Sequence, residues 1–202
     1  TDFSHIGVIL QQQDHLLLLE ASSLMVAQSL LGGVRWRMIH NALGAAKGEM
    51  LSMFQSQKIY YIGVFFTTCL PGTVGGDVVR IWLARGVGAP LSLAVNSVII
   101  DRMIALVGIG VMVLLTLPVF ASVLGLQPEV IYPAAAAATV AGLVLMLYLE
   151  RLLSPFGRFR LVHWSLHFLR HVKHILMHRW VSVAALSLAV IAHICYSLSA
   201  YV

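Results

Sequence analysis

Long apolar runs alternate with short basic segments along this chain. Four runs, 16–34, 91–119, 131–149 and 181–202, are long enough to cross a bilayer as helices of about 20 residues. A fifth run, 59–70, is too short to span alone. It continues into Pro71-Gly72-Thr73-Val74-Gly75-Gly76-Asp77-Val78-Val79-Arg80 and then into the apolar stretch 78–84. The pattern predicts an all-α fold, a polytopic transmembrane helix bundle. Residues 44–58 are of mixed polarity and predict a short interfacial helix leading into the fifth run.

The positions of Lys and Arg orient these elements, because loops rich in them stay in the cytoplasm. Segment 35–58 holds Arg35, Arg37, Lys47 and Lys58, and segment 80–90 holds Arg80 and Arg85. Segment 150–179 holds Arg151, Arg158, Arg160, Arg170, Lys173 and Arg179, whereas 1–15 and 120–130 hold none. The three basic segments are therefore expected to face the cytoplasm and the two bare ones the outside. Both flanks of residues 59–79 then lie on one side. About twenty residues cannot cross a core of ~30 Å twice as helix at ~1.5 Å per residue. A re-entrant helical hairpin with its tip at Pro71–Asp77 is the economical solution.

Composition narrows the class. Hydrophobic residues make up 59% of the chain, mean hydropathy is +0.90, and charged residues are only 10%, against about 25% in soluble domains. A soluble domain is excluded. Cys69 and Cys195 both sit in apolar runs without motif spacing, so neither a disulfide framework nor a zinc site is indicated. The chain starts at Thr1 and stops at Val202 inside an apolar run, without an initiating Met or a signal-peptide pattern. It reads as a fragment of a longer protein, a single, incomplete transmembrane domain over 1–202. No metal or cofactor is expected, and no nucleic-acid partner.

The segment from Pro71 to Arg80 carries the most chemistry. Hydrocarbon tolerates irregular backbone and ionised groups only where protein buries them or a polar cavity receives them. Pro71 lacks an N–H and ends a helix, the glycines free the backbone, and Asp77 can cap a new helix from Val78. Arg80 then lies one turn further on the same face. Exposed N–H groups at such a break attract anionic head groups. The plainer alternative is a tight helix–helix turn whose Asp and Arg satisfy each other. It is not a nucleotide-binding loop, since no Gly-Lys-Ser/Thr follows.

Asp101-Arg102 lies about ten residues into the run 91–119, near mid-bilayer at ~1.5 Å per residue. Neighbours on a helix do not face each other, so each needs its own partner or a wet cavity. Crossed pairing is expected between hairpin and helix, Asp77 with Arg102 or Arg80 with Asp101. Asn96 and Ser97, one turn earlier, could line the same cavity. The alternative is that the helix starts lower and the pair sits at the interface.

The remaining signals are weaker. His163, His167, His171, His174 and His178 fall within roughly 80° of a helix surface. The plain account is an amphipathic, basic cytoplasmic segment over 150–179 with its polar stripe toward water. Metal binding and pH-dependent contact with anionic lipid are the alternatives. His193 reads as a packed polar residue or pore liner. Arg35-Trp36-Arg37 reads as ordinary interface anchoring at the end of the first helix. Gly108, Gly110, the alanines 134–138 and Gly142 allow close helix approach.

The order Arg35-Trp36, Tyr60-Tyr61-Ile62-Gly63, Pro71-Gly72-x-x-Gly75-Gly76-Asp77-x-x-Arg80, Asp101-Arg102 resembles the transmembrane, flippase-like region of the lysylphosphatidylglycerol synthase family. The resemblance covers about residues 30–120. It implies a multi-pass protein of the bacterial inner membrane with roughly eight spanning helices in the complete protein. In some members this region is fused to a cytosolic aminoacyl-transferase, whose product it is thought to move to the outer leaflet. Other members stand alone.

The expected function is binding and translocation of an anionic or aminoacylated phospholipid, or of a polyprenyl-linked head group. Gly72, Gly75 and Gly76 would supply backbone donors and Arg80 and Arg102 would engage the phosphate. Asp77 and Asp101 would position those arginines or bind an amine. Two alternatives remain, the membrane half of a phosphatidylglycerol lysyltransferase and a non-transporting partner in envelope glycolipid assembly. The expected partners are the lipid and the membrane, with a homo-oligomer left open.

Overall fold

The computed structural model describes residues 15–69, 74–124 and 179–201, with isolated positions 129, 133, 134, 137 and 141. The histidine stripe, most of the run 131–149, the segment 150–178, Pro71 and Gly72 lie outside the described residues. Among the described residues the fold is helical, as the apolar runs predict. Its helices are α1 (His15–Gly44), α2 (Met53–Cys69), α3 (Val74–Gly86), α4 (Leu91–Leu124) and α5 (Arg179–Tyr201). Helix α1, residues Leu91–Leu117 of α4 and Trp180–Tyr201 of α5 are long and apolar enough to cross a membrane.

Helix α1 runs ten residues beyond the end that hydropathy predicts at Val34. The reason is a buried stripe that continues at helical spacing through Gly32, Arg35, Trp36, Ile39 and His40. Arg35-Trp36 is therefore interior to a helix and does not close it.

After Gly44 the backbone makes a 3-10 turn, Ala45–Lys47, and reverses at Gly48, whose φ of +70° lies in the left-handed region that favours glycine. Asn41 straps the loop. It donates from Nδ2 to the Leu51 carbonyl (3.1 Å) and accepts from the Leu51 N–H (2.8 Å). Arg37 Nε donates to the same carbonyl at 3.1 Å. Ser52 and Gln55 then form a reciprocal capping box. The Gln55 N–H donates to Ser52 Oγ (3.2 Å) and the Ser52 N–H donates to Gln55 Oε1 (3.0 Å), and α2 begins. In place of a separate interfacial helix over 44–58, this strapped turn occupies 45–52 and residues 53–58 are already the first turns of α2.

Helices α2 and α3 form an antiparallel hairpin. Tyr60 lies against Arg80, and Gly63 lies against Gly76. A side-chain carbon added at Gly76 would collide with Thr67 Oγ1 and the Gly63 carbonyl, so only glycine permits this crossing. Over their described 17 and 13 residues the two arms measure about 25 and 20 Å.

Contacts between helices fix their directions. Leu51 is strapped to Asn41, Gly44 lies against Leu93, and Ala84 clusters with Trp36, Ala89 and Ala94. The end of α1, both outer ends of the hairpin and the start of α4 thus share one end of the bundle. Helix α5 runs parallel to α4, because Ala185 clusters with Ile104 and Ala189 lies against Gly108. Its start, at Arg179, belongs to the same end. The small residues predicted to allow close approach do so at Gly108. Two apolar clusters fill the interior. One joins the hairpin to α1 and α4 around Trp36, Ile59, Ala84 and Val98. The other joins α1, α4 and α5 around Ile39, Ile100, Ile104 and Ala185.

Candidate functional site

Five charged side chains from three elements meet about 15 Å from the shared end. Asp101 and Arg102 lie ten and eleven residues into α4, about 15 Å from the shared end. Arg35 lies nine residues before the end of α1, about 14 Å from it. Asp77 and Arg80 come from the hairpin arm α3.

Both crossed pairings expected from the sequence form at once. Arg102 clamps Asp77 through two bonds, Nε to Oδ2 at 2.8 Å and Nη2 to Oδ1 at 2.9 Å. Arg80 Nη2 donates to Asp101 Oδ2 at 3.2 Å. The local pair of the plainer alternative forms as well, with Arg80 Nη1 at 3.4 Å from Asp77 Oδ1. Asp101 is only 1% exposed, so protein encloses it.

One partner was not anticipated. Arg35 Nε donates to Asp101 Oδ1 at 2.7 Å, so each oxygen of that carboxylate holds a different arginine. Arg35 and Trp36 are accordingly not interface anchors. Trp36 is fully buried, and its Nε1 donates to Ser97 Oγ at 3.2 Å, while Ser97 Oγ donates to the Ala94 carbonyl at 2.9 Å. Asn96 and Ser97 are both buried, and Ser97 reaches the cluster through Trp36. The signal for Arg35 was available in its helical spacing to Gly32 and Ile39. The hydropathy of the run, which falls at the first arginine, concealed it.

Arg80 is the hub. It is 3% exposed, and its guanidinium lies 4.7 Å from the ring centroids of both Trp36 and Tyr60. Two aromatic faces and two carboxylates hold a cation that could not otherwise stay at this depth. Its Nε has no hydrogen-bond partner among the described residues.

The cluster has a sealed side and an open side. Arg35, Arg80 and Asp101 are closed off, whereas 18% of the Asp77 side chain and 48% of the Arg102 side chain are exposed. Helix α3 is already helical from Val74, four residues before the expected start, so Asp77 lies within it and is not its cap. Gly75 and Gly76 are helical, in the first described turn of α3. Gly76 also forms the hairpin crossing described above. No group of three or more His, Cys, Asp or Glu that could hold a metal occurs among the described residues.

The family model described as the lysylphosphatidylglycerol synthase TM region matches residues 1–202. No curated protein and no solved structure matches the chain.

Proposed function

The chain belongs to the lysylphosphatidylglycerol synthase TM-region family, and from that membership and the buried charge cluster we propose that it binds and translocates a lipid with an anionic head group. That it is an integral membrane protein of lipid metabolism follows from the family and from its three long apolar helices. Translocation is the step beyond. One observation carries it: a guanidinium half exposed at mid-depth, paired with a carboxylate that is itself partly exposed. Ionised groups inside a membrane mark substrate pathways when they face a wet or exchangeable space.

In this reading Arg102 takes the phosphate, exchanging Asp77 for it. Gly75 and Gly76 offer N–H groups from the first described turn of α3, beside Asp77. Arg80 and Asp101 hold the geometry from behind. The hairpin α2–α3 is re-entrant and its tip reaches into the bilayer. This fits its short arms and the return of both outer ends to one end of the bundle. That end is cytoplasmic, in a bacterial inner membrane, because Arg37, Lys58 and Arg85 lie toward it. No nucleotide-binding motif occurs in the chain, so movement of lipid is passive or gradient-driven.

The family description favours one second reading, the membrane half of a lysylphosphatidylglycerol synthase. Reconstitution separates the two. The full-length protein is placed in liposomes of labelled phospholipid, and outward movement is followed by dithionite quenching. Lipid movement that is lost in Arg102→Ala and Arg80→Ala and retained in Arg102→Lys supports translocation at this site. Movement unchanged in both alanine variants removes the site from the proposal. Lysyl transfer without movement favours the synthase reading.

A further inference from the structure

The arginine at the hub holds two carboxylates in one plane. Arg80 Nη1 reaches Asp77 on its own helix (3.4 Å) and Nη2 reaches Asp101 on α4 (3.2 Å). A guanidinium is a rigid planar fork, so turning the plane moves both contacts together. Its carbon lies 4.7 Å from the centroids of the Trp36 and Tyr60 rings, and these rings limit how the plane can turn. Trp36 is held in its turn. It is fully buried, His40 meets it edge-on with 5.8 Å between centroids, and its Nε1 donates to Ser97 Oγ at 3.2 Å. Ser97 Oγ gives its own hydrogen to the Ala94 carbonyl at 2.9 Å, which leaves a lone pair for the indole.

We propose that Ser97 is a positioning residue for the Asp77–Arg102 pair, acting through Trp36 and Arg80. The inference deepens the lipid-binding reading above, and rests on it for its functional consequence but not for its geometry. The path leaves α4 at Ser97, crosses α1 at Trp36 and α3 at Arg80 and Asp77, and returns to α4 at Arg102. Residues 97 and 102 lie about 140° apart round the helix surface at ~100° per residue, so their side chains do not meet directly. The hydroxyl acts through its neighbours. Without it the Trp36 Nε1–H loses its acceptor in a fully buried place. The indole then turns, the guanidinium tilts with it, and Asp77 shifts away from the two bonds that Arg102 makes to it at 2.8 and 2.9 Å. The plainer account of Ser97, a hydroxyl satisfied within its own helix, explains the bond to Ala94 and not the indole it receives.

The pair can be read without added lipid. Full-length protein carrying isotope-labelled arginine is placed in detergent micelles, and the Arg102 Nε–H resonance, identified by its loss in Arg102→Lys, is followed by NMR. Ser97→Ala should move it toward the position it takes in Asp77→Asn, where the charged acceptor is gone. Ser97→Thr keeps the hydroxyl and should leave the resonance near its wild-type place. Trp36→Phe removes the donor from the other end and should act as Ser97→Ala does, so the result does not hang on the folding of one variant. In the liposome assay above, Ser97→Ala should slow lipid movement by on the order of tenfold, the scale of one hydrogen bond, and Ser97→Thr should stay close to wild type.

An Arg102 resonance that stays in place in both Ser97→Ala and Trp36→Phe overturns the inference, whatever happens to lipid movement. Equal displacement by Ser97→Thr and Ser97→Ala overturns it as well, because packing and not the hydroxyl is then responsible. A displaced resonance with lipid movement unchanged keeps Ser97 as the positioning residue and removes the Asp77–Arg102 pair from the lipid path. A displaced resonance with slowed movement supports both.

Discussion

Two carboxylates in this molecule carry the same chemistry and have opposite surroundings. Asp101 is closed off, gives one oxygen to Arg35 and the other to Arg80, and lies beside the Trp36–Ser97 hydrogen bond. Asp77 sits at the edge of the same network, clamped by an arginine whose far side is open. The first is walled in by residues from three elements and can exchange with nothing without opening the bundle. The second can exchange one partner and keep another. A buried ion network in a membrane thus divides into a part that fixes the helices and a part left available to a ligand. Sequence letters do not distinguish the two, because both are Asp with Arg nearby.

The largest expected effect tests the sealed side. Asp101→Asn keeps the shape and removes the charge, leaving Arg35 and Arg80 buried without a common counter-ion. Breaking a buried pair in this way costs about 3–5 kcal/mol. The variant should lose most of its thermal stability in detergent, or fail to accumulate in the membrane. If Asp77→Asn is as damaging as Asp101→Asn in the same thermal-unfolding assay, the division between sealed and open sides is wrong.

A middle-sized effect tests what positions the open side. Gly76→Ala places a methyl group against Thr67 Oγ1 and the Gly63 carbonyl, and backbone cannot step aside as a side chain can. Overpacking of this kind costs about 1–3 kcal/mol. It should also move Asp77, one residue along, away from Arg102. The expected outcome is a modest fall in unfolding temperature with a larger loss of lipid retention. A fall in stability alone, with binding intact, would detach the hairpin crossing from the site.

These particular residues show what was legible beforehand. The apolar runs gave three of the helices, and α4 to the residue at its start, since twenty apolar residues have few other stable forms in a bilayer. Crossed pairing of Asp77, Arg80, Asp101 and Arg102 was also legible, because a charge at that depth must find its opposite. Arg35 was not, although it contributes the shortest ion pair among the described residues. An arginine at the end of an apolar run is ordinarily an anchor at the interface, and only the depth of its neighbours shows otherwise. Gly75 and Gly76 looked like loop residues, and they are helical. Glycine at a helix crossing and glycine in a turn answer to different constraints, close approach in one and backbone freedom in the other. Composition alone cannot separate them. The cage of Trp36 and Tyr60 around Arg80 needs three elements at once and has no local signature.

The smallest effect on stability should come from the residue with the largest consequence for the ligand. Arg102 is half exposed, so Arg102→Gln removes an interaction already weakened by its surroundings. Exposed ion pairs contribute about 0–1 kcal/mol, and Asp77 retains Arg80. Unfolding temperature should therefore shift little, while retention of an anionic lipid falls by on the order of tenfold. The combination matters more than either number. A structural knot loses stability and binding together when one of its members is removed. A binding group loses binding and leaves the fold standing. If Arg102→Gln unfolds as readily as Asp101→Asn, all five charges are one sealed knot and the mid-depth cluster holds the bundle together without receiving a ligand.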